Sequence, residues 1–197
     1  MKKPIIMFGI VGAAVIAFMC LVLFLIGFDI LALEVSHYPN RATKAYKLPA
    51  PTMEPTVKKG DRIIALKYKE AGIEPKRFDI AVFTLPNGTK PFLKRIIGLP
   101  DETLEIKNGK VIINKKELPL PGKLYYYNAG DFGKEGNAIH IPVNCYYVLG
   151  DNSANSKDSR YYGFVSRENI TAKAIRIYWP INRARKLADV SKRYIRK

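Results

Sequence analysis

Apolar and polar positions alternate in short blocks along most of the chain, and only one block is long. From Pro4 to Phe28 no side chain is charged. An α-helix rises about 1.5 Å per residue, so ~20 apolar residues cross a hydrocarbon core ~30 Å thick. Ile5 to Phe28 exceeds that length, and a helix satisfies its own backbone in lipid. The apolar stretch of a cleaved signal peptide runs to only ~7–15 residues. The pattern therefore predicts one uncleaved N-terminal transmembrane helix, an anchor over residues 1–28. Lys2 and Lys3 precede it, which favours an internal N-terminus and an extracytoplasmic C-terminal part, although Arg41, Lys44 and Lys47 follow.

Beyond a polar linker over 29–47 the blocks shorten to strand length. Arg62 to Leu66, Ile80 to Phe83, Phe92 to Ile97, Cys145 to Leu149 and Ala174 to Trp179 are rich in β-branched and aromatic residues, with Gly, Asn and Pro between them. Glu105-Ile106 and Val111 to Ile113 flank Asn108-Gly109, a hairpin signal. Residues 120–138, with Tyr125-Tyr126-Tyr127, read as an irregular excursion. The pattern predicts a mainly β, antiparallel domain over 48–180. A basic tail follows over 181–197, where the best helical periodicity outside the anchor lies between Arg183 and Arg196.

Composition narrows the function classes. With 48% hydrophobic residues, 14 Gly, 13 Pro and 2 Cys, the chain is neither collagen-like, disulfide-stapled nor wholly disordered. Thirty-three Lys and Arg against 17 Asp and Glu give a formal charge of +16. Arg183, Arg185, Lys186, Lys192, Arg193, Arg196 and Lys197 crowd the tail against Asp189 alone. On a membrane-tethered chain, attraction to anionic headgroups, about 1 kcal/mol per basic residue, accounts for this more economically than nucleic acid does. A merely solvated tail accounts for it as well. Cys20 and Cys145 are too far apart in the expected layout to pair. His37 and His140 form no ligand cluster, so neither metal nor cofactor is expected.

Three segments carry candidate chemistry. Leu48 to Thr56 sets Thr52 and Met53 among prolines that restrict the backbone. Lys94 and Arg95 stand within Phe92 to Ile97, where burial favours the neutral amine and only Lys94 can become a base at neutral pH. Stems that snorkel to water would explain the same pattern. Gly150 to Gly163 concentrates Asn, Ser and Asp side chains that build rigid turns, and Asp158 is placed to pair with Arg160.

Together, in order and spacing, these segments resemble the type I signal peptidases, membrane-anchored Ser-Lys proteases. Thr52-Met53-Glu54-Pro55-Thr56 is similar to the family's S-M-x-P-T, and Arg77 to Phe83 to its R-G-D-I-V-V-F strand. Lys94 to Pro100 matches K-R-x-x-G-L-P, and Gly150 to Gly163 matches G-D-N-x-x-x-S-x-D-S-R-x-x-G. The likeness runs from the anchor to about Trp179. It implies a barrel-like antiparallel catalytic domain and a hydroxyl/Lys dyad of Thr52 and Lys94. Ser156 would hydrogen-bond and orient Lys94, and Asp158 and Arg160 would brace the third loop. Met53, Ala50 and Pro51 would line the substrate groove.

The substrates implied are signal peptides of exported pre-proteins, bound extended and edgewise. Thr52 stands where the family has Ser, and Ala50 where some members place a hydroxyl that assists the oxyanion. A threonine can serve as a nucleophile, but its methyl stiffens the side chain and crowds the carbonyl. The alternatives left open are a silent homologue that binds signal peptides or a partner, and a specialised pilin- or conjugation-linked processing peptidase. The discriminating geometry is an approach of Thr52 Oγ1 and Lys94 Nζ to within about 3.2 Å.

Overall fold

The computed structural model describes residues 18–19, 21–22, 42–86 and 88–187. The expected membrane span lies outside them except for Phe18, Met19, Leu21 and Val22, which are helical. No helix among the described residues is long and apolar enough to cross a membrane. The chain divides into two compact units, Met1–Asn40 and Arg41–Lys197, and everything below concerns the second.

This unit is mainly β and antiparallel. Its strands in chain order are β1 (Thr43–Lys47), β2 (Arg62–Lys67), β3 (Ile80–Phe83), β4 (Phe92–Gly98), β5 (Thr103–Lys107), β6 (Lys110–Ile113), β7 (Lys116–Leu118), β8 (Ile139–His140), β9 (Cys145–Leu149), β10 (Val165–Ser166), β11 (Ile170–Trp179) and β12 (Arg185–Lys186). An 8-stranded sheet runs β1-β2-β11-β3-β4-β9-β10, with β12 added to β11, and a 4-stranded sheet runs β7-β6-β5-β8. Bulges interrupt β11 against both β2 and β3, and β4 against β9. Each bulge bends and twists its strand, so the large sheet is open and curled rather than a closed barrel.

Core side chains follow from the alternation. Ile63 and Ala65, Ile80 and Val82, Leu93, Ala172, Ala174 and Ile177 form one buried cluster, to which Leu48, Met53 and Val57 are added from the β1–β2 loop. A second cluster joins Ile97, Tyr147 and Leu149 of the large sheet to Leu104, Ile106, Val111 and Ile113 of the small one. A third gathers Tyr68, Phe83, Ile96, Val148, Val165 and Ile170. The β5–β6 hairpin turns at Asn108-Gly109 with φ 50° and 74°, the left-handed pair that a two-residue turn requires.

Several expectations need correction. Thr43–Lys47, assigned to the linker, is an edge strand paired in register with β2. With Lys44 and Lys47 among five residues, only partly buried, it lacks the apolar alternation of a core strand. Strand β11 begins at Ile170 rather than Ala174. The first part of the basic tail is a 3₁₀ turn, Ile181–Arg183, followed by β12, not a helix; residues 188–197 lie outside those described. Phe78 occupies the glycine position of the R-G-D pattern with φ 69°, in the left-handed region. Burial of its ring in the second cluster offsets that strain.

Candidate active site

The β1–β2 loop closes on itself before it offers any side chain to chemistry. Leu48 N donates to Asp61 O at 2.9 Å and Gly60 N to Leu48 O at 2.8 Å, which clamps the loop at its neck. Glu54 N donates to Pro51 O at 3.2 Å and Val57 N to Met53 O at 2.9 Å, forming a turn around Thr52. Met53 is the loop's apolar anchor: it is fully buried in the first cluster. The turn packs its side chain into that cluster with residues of the large sheet. Ala50, Pro51 and Thr52 are half-buried.

Strand β4 carries the partner. Lys94 is 2% exposed, and its Nζ donates to Thr52 Oγ1 at 3.0 Å and to Leu93 O at 3.1 Å. Burial, the largest influence, pushes the amine down to about 8 from an ordinary 10.5. Arg160 adds to that shift, while Asp158 and Asp151 oppose it. A lysine that sheds its proton this close to neutrality, in contact with a hydroxyl, has the geometry and basicity of a general base.

The third segment converges on the same place. Gly150 passes so close to the loop that a Cβ there would lie 2.1 Å from Ser156 Oγ and 2.6 Å from Thr52 O. Asp158 and Arg160, both fully buried, pair through Nε–Oδ1 at 2.8 Å and Nη2–Oδ2 at 2.9 Å. Asp158 Oδ2 also accepts Gly150 N at 3.0 Å. Arg160 reaches Ser153 Oγ and the carbonyls of Tyr127, Ser153 and Ser156. Ser156 departs from its assigned contact. Its Oγ is buried without a hydrogen-bond partner among the described residues, and Lys94 Nζ bonds Thr52 and Leu93 instead.

Arg95 and Asp151 are a pair that the sequence reading missed. Arg95 Nε and Nη2 grip Asp151 Oδ1 and Oδ2 at 2.8 and 2.6 Å, and Nη1 donates to Phe78 O at 2.9 Å. Thr56 Oγ1 donates to the same carboxylate. One buried ion pair thus ties β4, the third segment and the Thr52 loop together. Arg95 beside Lys94 in an apolar strand was the available signal; its acidic partner, 56 residues away, was not marked by any local pattern.

Comparison with known proteins now decides the family. The model for signal peptidase, peptidase S26, matches residues 10–179. The chain belongs to that family. It is 35% identical over 148 residues to the signal peptidase I of Leptolyngbya laminosa, an alignment covering 71% of this chain and 70% of that one. It is 36% identical over 156 residues to a probable signal peptidase I-2 of Synechocystis, covering 76% and 69%. A crystal structure of a signal peptidase I from Enterococcus faecalis matches at 30% identity, TM-score 0.42, over 51% of this chain and 96% of its own. As a member of the signal peptidase family the chain is a hydrolase of the peptidase class. In this signal peptidase Gly150 lies close against Thr52 O, and Asp158, paired with Arg160, accepts the Gly150 N–H.

Proposed function

We propose that this chain is a membrane-anchored signal peptidase that cuts signal peptides from exported pre-proteins with a Thr52–Lys94 dyad. The observation that carries the reading is the 3.0 Å contact between Thr52 Oγ1 and a buried Lys94 Nζ. In the reactive form the neutral amine keeps one N–H on Leu93 O and accepts the Thr52 hydroxyl proton on its lone pair. The alkoxide oxygen attacks the scissile carbonyl, and the Thr52 backbone N–H stabilises the oxyanion. Lys94 then protonates the leaving amine and activates the water that releases the acyl group. Ala50 adds no side-chain donor to the oxyanion hole. Asp158 and Arg160 hold the third segment, and Ser156 Oγ, buried beside Gly150, is available to bond the lysine in a liganded state.

With the anchor over 1–28 and an internal N-terminus, the β domain belongs on the extracytoplasmic side of the cell membrane, where its net positive charge would attract anionic headgroups. The test is cleavage of a pre-protein by the purified full chain in detergent. Wild type cuts; Lys94→Ala and Thr52→Ala each lower the rate by at least about 10³-fold; Thr52→Ser matches or exceeds wild type. No cleavage by wild type or by Thr52→Ser would favour a silent, peptide-binding relative. Cleavage surviving Thr52→Ala would remove the threonine from its role.

A further inference from the structure

Asn152 grips the loop that carries Thr52 at two adjacent carbonyls. Its backbone N–H donates to Thr52 O at 3.1 Å, and its side-chain Nδ2 donates to Pro51 O at 3.1 Å. Pro51 O also accepts Glu54 N–H at 3.2 Å, so both lone pairs of that carbonyl are engaged. The peptide between Pro51 and Thr52 is trans and planar, and the C=O and N–H of such a unit point in opposite directions. Fixing Pro51 O therefore fixes where Thr52 N–H points. A hydrogen bond to the carbonyl also polarises the amide and makes that N–H a stronger donor.

We propose that Asn152 is a positioning residue for the oxyanion donor, aiming Thr52 N–H by holding Pro51 O. This rests on the dyad reading above, in which that N–H meets the developing oxyanion. The role matters more in this chain because Ala50 leaves the backbone donor without side-chain help. Asn152 is itself held in place: Asp151, its neighbour, is locked by Arg95 and Thr56, and Asn155 N donates to Asn152 O at 3.0 Å. Removing an oxyanion donor outright slows acyl transfer by about 10²–10³-fold. Loosening one that keeps its Glu54 bond costs less.

The experiment is steady-state cleavage of a signal-peptide substrate by full-length Asn152→Ala and Asn152→Asp, beside wild type, Thr52→Ser and Lys94→Ala. The aspartate keeps the shape and the backbone bond while replacing the amide donor by a carboxylate oxygen, so it decides the matter if the alanine variant does not fold. Its added charge is why the pH inflection is read on the alanine variant. The expected result is a fall in kcat of about five- to tenfold in both variants, with KM within twofold. The pH inflection of Asn152→Ala stays where wild type has it, since the Lys94 amine bonds Thr52 and Leu93 and is shifted by burial and by Asp158, Arg160 and Asp151 rather than by Asn152. A smaller fall in kcat, a loss carried by KM, or a displaced inflection in Asn152→Ala overturns the inference while leaving the dyad standing. If neither wild type nor Thr52→Ser cleaves, or if Lys94→Ala cleaves normally, the dyad reading fails and the inference with it.

Discussion

Lys94 shows what a reactive group costs the fold that holds it. Its amine is pushed down to about 8, chiefly by burial, from an ordinary 10.5. Below pH ~8 folded and unfolded chains are both protonated there, and the fold carries the whole penalty of enclosing an ammonium. Between about 8 and 10.5 the unfolded chain binds more protons, so stability rises with pH across that window and then levels off. A shift of this size corresponds to about 3 kcal/mol. Lys94→Met is thus expected to abolish cleavage yet stabilise the protein at pH 7, with the gain disappearing by pH 10.5; urea titrations at the two pH values measure the difference. On the proposed mechanism the same proton governs rate. Cleavage by wild type should climb through an inflection near pH 8 as the neutral amine accumulates, and a flat profile from pH 6 to 9 would speak against Lys94 as the base.

Among the elements, the Gly150–Gly163 segment is a scaffold in which most buried polar side chains are engaged, Ser156 Oγ and Tyr162 Oη being the exceptions among the described residues. Arg95 and Asp151 are both buried, so removing one partner strands the other. Asp151→Ala should lower stability by about 3–5 kcal/mol, whereas the double change Arg95→Met with Asp151→Leu should recover most of it without recovering cleavage. Denaturant midpoints and a cleavage assay separate the two effects. Asp158 and Arg160, two residues apart, could be paired from the sequence because local turn geometry brings them together. The Asn108-Gly109 hairpin was legible for the same reason. Arg95–Asp151 and Asn152–Pro51 were not, since periodicity sets which face a residue takes but carries no register between segments 50 to 100 positions apart. The Thr52–Lys94 contact was reached through motif resemblance rather than through periodicity.

At the scale of the whole molecule, the chain beyond Trp179 belongs to the fold as far as it is described. Arg183 grips Asp61 at the neck of the Thr52 loop through Nε and Nη2 at 3.0 and 2.9 Å. Arg185 Nη2 donates to Thr56 O at 2.7 Å, and Leu187 N returns to Ile175 O at 2.8 Å. Basic composition left this stretch between headgroup attraction and a solvated tail; the structure uses its first residues as a strand and a clasp. Truncation after Pro180 should lower the melting temperature and slow cleavage relative to truncation after Leu187, since only the first removes β12 and the Arg183 clasp. Equal melting temperatures for the two truncations would relegate β12 to decoration.

The buried ion pair of Arg95 and Asp151 has a further bearing on how such a molecule is made. Three stretches of chain, around positions 52, 95 and 151, must all arrive before the neighbouring lysine is sealed from water. On a nascent or half-collapsed polypeptide that lysine keeps its ordinary affinity for protons and stays an inert cation. On the proposed mechanism, peptide-cutting competence would then emerge only once these three stretches have packed together.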